Sequence, residues 1–143
     1  MQENYPHNSF PTVWKNFESL ISSHQLIAPI EVSNEIFSSN FFLHHWCRTN
    51  HNIFINNNAS ILNFVSEIMG AFPQLVNPNK MGPVADPFII ALARHSNSNL
   101  TGDRSVILTQ ERNREFKIPF VANHYSIRSL NLLELFDEEK WKF

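Results

Sequence analysis

Two stretches decide the fold class: Ala85-Asp86-Pro87-Phe88-Ile89-Ile90-Ala91-Leu92-Ala93, and soon after it Val106-Ile107-Leu108-Thr109-Gln110-Glu111. The first is apolar nearly all round, which predicts a buried helix from Pro87 to about His95. The second opens on a continuous apolar run, as expected for a parallel strand covered on both faces. One acid opens the helix and another closes the strand. In open α/β sheets ligands bind outside the carboxyl ends of the strands, so these acids are candidates for a site.

Working outward, short strand patterns alternate with helical ones. Phe10, Val13, Trp14, Phe17, Leu20 and Ile21 recur at helical spacing, with Ser9 as the expected cap. Leu26-Ile27-Ala28 reads as a strand ended by Pro29, followed by a helix from Ile30 to Phe37 that Ser38-Ser39-Asn40 breaks. A helix from Phe41 to Arg48 precedes a strand at Ile53-Phe54-Ile55. Asn56-Asn57-Asn58 is a turn, and Ile61, Leu62, Phe64, Val65, Ile68, Met69 and Phe72 mark the next helix. Pro73 to Pro83 is a loop, and Ser96 to Gly102 a polar one. A helix from Ile118 to Tyr125, a strand from Ile127 to Leu130 and a last helix capped by Asn131 complete the chain. The alternation predicts an α/β fold with a parallel sheet between two helical layers.

The chain has 143 residues, enough for one domain with a real core, and 43% of them are hydrophobic, which argues against disorder. A formal net charge of −2 provides no global field to draw in a polyanion. The single cysteine, Cys47, excludes an intrachain disulfide and fits a reducing cytosol. The first residues lack the layout of a secretion signal, and no apolar run approaches the ~20 residues that span a bilayer. A soluble, cytoplasmic protein without membrane contact is expected. Gly70, Gly82 and Gly102 are too scattered for a phosphate-cradling loop.

Asp86 before Pro87 is also a favoured helix start, and Glu111 could be an ordinary loop acid. Thr109 shares a strand face with Glu111, where its hydroxyl can orient a carboxylate or a metal-bound water. Glu31 and Glu35 lie four apart on one helix face that follows a strand directly. Acids converging from such junctions repel unless a cation neutralises them. Mg²⁺ suits them, because it takes oxygen ligands from a few carboxylates and keeps several waters. Such a metal activates water against a phosphodiester.

Arg94, Arg104, Arg112, Arg114 and Lys117 cluster in sequence around Glu111 and could guide an RNA backbone, though Asp103, Glu111 and Glu115 dilute them. His44, Cys47 and His51 align at helical spacing, but one thiolate is a poor start for a zinc site. Trp14, Trp46 and Trp141 fall on helical patterns and are expected in the core.

At these residues the chain resembles the PIN domain nucleases, and is most similar to a small bacterial PIN-like family. The matching pieces are Tyr5-Pro6, Phe10-Pro11-Thr12-Val13-Trp14, Ile27-Ala28-Pro29-Ile30-Glu31-Val32-Ser33-Asn34-Glu35-Ile36, the Asp86 and Glu111 segments, Lys117-Ile118-Pro119, Asn131-Leu132-Leu133-Glu134-Leu135 and Trp141-Lys142-Phe143. The resemblance covers nearly the whole chain as one domain, residues 1–143, and implies a three-layer α/β/α fold. It implies a metal-dependent ribonuclease, many of which are toxins restrained by an antitoxin. Glu35, Asp86 and Glu111 would bind Mg²⁺ or Mn²⁺, Glu35 being preferred to Glu31 because Glu35-Ile36 matches the family's acid-then-aliphatic pair. Thr109 would support them, and Arg112, Arg114 and Lys117 would contact RNA.

The sequence departs from the family in two places. The central first strand, which ends in a metal-binding aspartate, has no counterpart before Tyr5, and Asn97 to Asp103 is longer than the usual turn. A missing central strand leaves neighbouring backbone groups unpaired. The expected consequence is impaired activity, or a non-catalytic binding module completed by a partner's strand or by strand exchange in a homodimer.

Overall fold

The computed structural model describes residues 5–36, 41–79, 84–99 and 104–142. The expected break at Ser38-Ser39-Asn40 and parts of both predicted loops (80–83 and 100–102) lie outside the described residues. The elements are α1 (Pro11–Ser22), β1 (Ala28–Pro29), α2 (Ile30–Ile36), α3 (Phe41–Thr49), β2 (Phe54–Ile55), α4 (Ala59–Ala71), α5 (Asp86–Asn99), β3 (Ile107–Leu108), α6 (Ile118–His124), β4 (Ser129–Leu130) and α7 (Leu132–Glu138). Short 3-10 turns occur at His51–Ile53 and Pro73–Leu75. The fold is mixed α/β with parallel strand pairing. Among the described residues the strands form two separate two-stranded sheets, β1 with β2 and β3 with β4.

The chain divides into two compact units, residues 1–56 with 142–143, and residues 57–141. In the first, α1 buries Val13, Trp14, Phe17, Leu20 and Ile21, the stripe that its spacing predicts. The Trp14 ring meets Phe42 and Trp46 of α3 edge-on, with centroids 5.3 and 5.4 Å away, and its indole N–H donates to the Tyr5 carbonyl at 2.8 Å. Trp46 is half-buried, with its N–H on Glu18. Ala28 pairs with Phe54 and Pro29 with Ile55.

In the second unit α4 and α5 make the most extensive helix pair. Ile68 and Ile90 are fully buried, and Ile90, Ala91, Leu92 and Ala93 are buried in succession, as an all-round apolar helix requires. In β3 and β4, Ile107 pairs with Ser129 and Leu108 with Leu130.

Several sequence expectations shift. Ser9 does not cap α1: the Ser9 and Phe10 N–H groups both donate to the Pro6 carbonyl, Phe10 stands at the cap position, and Pro11 starts the helix. Leu26 is diverted from the strand, because its N–H and that of Gln25 close the end of α1 on the Leu20 carbonyl. The strand therefore starts at Ala28 and includes Pro29. Ile53 belongs to a 3-10 turn. The polar stretch from Ser96 continues α5 to Asn99. Val106 is 41% exposed, so the second stretch is not covered on both faces.

Candidate functional site

In the second unit, Ile107 N–H donates to Arg128 O and Thr109 N–H to Leu130 O, both at 2.9 Å, and the chain then leaves the sheet. The next turn spends three side chains on backbone donors. Thr109 Oγ1 accepts from the Glu111 N–H at 3.1 Å. Glu111 Oε2 accepts from the Ile118 N–H at 2.9 Å. Gln110 Oε1 accepts from the Leu132 N–H at 3.1 Å.

These bonds have a plain cause. The first N–H groups of any helix lack intrahelical partners. Lys117 precedes α6 and makes no side-chain cap, and Pro119 has no N–H. Glu111 supplies the missing acceptor from a distance. The half-buried carboxylate is thereby fixed at the carboxyl end of β3. The Thr109 hydroxyl meets the Glu111 backbone rather than its carboxylate.

Glu111, Arg112, Arg114 and Lys117 line one open hollow of about 260 Å³. Three of the sequence-selected cations and one acid thus share a surface. Arg94, grouped with them in the sequence, is engaged elsewhere: its guanidinium lies over the rings of Phe64 and Tyr125, 4.4 and 4.1 Å from the centroids, and pairs with Glu67. Arg104 donates to the Asn97 carbonyl at 3.3 Å.

Asp86 is half-buried in the first turn of α5, where the helix dipole favours an acid. The Ala85 carbonyl accepts from Phe88 and Ile89, so Ala85 holds the cap position and Asp86 is the first helical residue, with Pro87 second. Glu31 and Glu35 are half-buried on α2 of the first unit. Among the described residues no group of three or more His, Cys, Asp and Glu lies close enough together to hold a metal ion. That includes His44, Cys47 and His51. Burial also raises the Cys47 thiol above its ordinary value of 9.0, against thiolate formation.

Sequence reasoning missed Gln110 and the larger hollow beside it, about 510 Å³, which β4, α6, α7 and the Thr109–Asn113 turn enclose. An amide directly after a strand was the available signal. Its partner, Leu132, is far along the chain, and no spacing rule reaches it.

The chain belongs to the family described as Domain of unknown function (DUF4411), whose model matches residues 1–143. No curated protein and no solved structure matches it.

Proposed function

We propose that the chain is a PIN-like, metal-dependent ribonuclease domain of toxin type, which hydrolyses RNA phosphodiesters with Mg²⁺ or Mn²⁺. The observation that carries this reading is Glu111, a carboxylate held at the carboxyl end of a parallel strand pair, with Arg112, Arg114 and Lys117 in the same hollow. The sequence resemblance, carried in part by the same segments, favours the same reading. Mg²⁺ is commonly held by one or two carboxylates, substrate phosphates and water rather than by an all-protein cage. The Glu111 carboxylate suits that use, since it has two oxygens and only Oε2 has a bond to Ile118. Asp86 is a second candidate acid in the same unit, while Glu35, on α2 of the first unit, is named by the resemblance alone. The ion would supply charge stabilisation and an activated water. The cations of the hollow would hold the RNA backbone.

The experiment is cleavage of single-stranded RNA by the purified chain with Mn²⁺, tested with Asp86→Asn, Glu111→Gln and Glu35→Gln. Glu111→Gln keeps a carbonyl for the Ile118 N–H while removing the charge. Loss of at least about 100-fold in rate is expected for Asp86→Asn and Glu111→Gln, the size of a catalytic group's contribution. Undiminished cleavage in either variant removes that acid from the mechanism.

A second reading has its own observation. Among the described residues each strand pairs on one side only, and such edges accept a further strand. The chain would then be a binding module completed by a partner strand, an antitoxin segment or a second copy. It predicts concentration-dependent association without Mn²⁺ affinity, measured by light scattering and calorimetry.

A further inference from the structure

We propose that the larger hollow, at the carboxyl ends of β3 and β4, receives the phosphate-bearing part of a nucleotide, with the amide NH₂ groups of Gln110 and Asn131 as donors. The hollow measures about 510 Å³, within the roughly 300–1,000 Å³ of small-ligand sites and larger than a bare phosphate requires.

An amide side chain offers a carbonyl acceptor at one end and two donors at the other. Gln110 Oε1 faces the Leu132 N–H at 3.1 Å, and Asn131 Oδ1 faces the Glu134 N–H at 2.9 Å. Those bonds fix which end of each amide points at the backbone. Their NH₂ groups are what both residues have left to offer the hollow they line. Asn113, Asn123, Arg112 and Arg128 line it too, and all of them carry donors.

The two acids on the wall are partly committed. Glu111 Oε2 accepts from Ile118, and Glu134 Oε2 accepts from the Asn131 N–H. Arg128 is paired with Glu138, which leaves Arg112 and the amides as the receiving groups. Donors of this kind do not ligate a metal; they suit a ligand that only accepts, and a phosphodiester is one. The smaller hollow shares Glu111 and Arg112 and adds Arg114 and Lys117, so cations continue past the rim as a chain of phosphates would. That continuity favours a nucleotide over an acidic peptide.

This inference deepens the ribonuclease reading and rests on it for the choice of a ribonucleotide. Its test is binding in EDTA, so failure of hydrolysis and failure of binding are separate results. The full chain is titrated with a uridine dinucleotide, inorganic phosphate and a tetraglutamate peptide. Gln110→Glu and Asn131→Asp keep an oxygen for each helix N–H, and Asp caps as well as Asn, but each replaces a donor with a negative acceptor. Each is expected to weaken dinucleotide binding about tenfold, the worth of one hydrogen bond to a charged group, with an unchanged or higher Tm. Binding by the wild type that neither variant alters overturns the proposal. So does no binding at millimolar dinucleotide, or phosphate or peptide binding as tightly as the dinucleotide.

Discussion

Arg94 shows how one side chain can be withdrawn from a surface charge cluster. Its guanidinium lies over Phe64 and Tyr125 while pairing with Glu67. Flat delocalised charge is what aromatic faces accept best. The arrangement also acts on Tyr125: burial raises its phenol above 10.0, Arg94 lowers it and Glu67 raises it, and the net direction is up. The folded state therefore holds the phenolic proton more tightly than the unfolded chain does. The resulting stability is complete below pH 10 and is lost as pH rises through the folded value. Tyr125→Phe keeps the ring under Arg94 and removes the ionisation. Urea midpoints should fall less steeply above pH 10 in Tyr125→Phe than in the wild type; identical slopes would exclude Tyr125 as the cause.

At the scale of elements, three helices are ended without glycine. After α1, α6 and α7 stand His24, Ser126 and Lys140, with φ of 58°, 58° and 57°. In each case the next N–H reaches back to close the helix: Gln25 to Leu20 at 2.8 Å, Ile127 to Ala122 and Trp141 to Phe136 both at 2.9 Å. This is the Schellman motif, whose left-handed position favours glycine. At α7 the accompanying contact is Trp141 on Phe136, with centroids 5.6 Å apart, which explains a half-buried tryptophan at this end. A left-handed non-glycine residue is strained by roughly 1 kcal/mol or more. His24→Gly and Lys140→Gly should each stabilise the chain by about 0.5–1 kcal/mol in urea unfolding, and a loss of stability in both would contradict the assignment. At the other helix ends, Asn58 accepts from Ile61 at 2.8 Å to start α4, and Asn131 with Glu134 forms a capping box on α7.

At the scale of the molecule, each of the two units rests on a core of its own. The second depends on α4 and α5, where Ile68 and Ile90 are fully buried. Ile90→Ala should cost about 2–5 kcal/mol; a cost under 1 kcal/mol would mean that the site collapses freely. The sequence by itself determined most elements and their order, because apolar periodicity and Asn or Pro starts are local signals. The helix from Ile118, the Asn131 cap and the buried run from Ile90 to Ala93 were all legible in this way. It also nominated Thr109, Glu111 and the cations beside them. Only the tertiary structure decided that the described strands form two parallel pairs, that Glu111 and Gln110 serve helix starts 7 and 22 residues away, and that Arg94 leaves the basic cluster. The physical reason is shared: a hydrogen bond or a ring contact across a fold is chosen by which backbone donors and apolar faces the packing leaves unsatisfied, and no short window of sequence contains both partners.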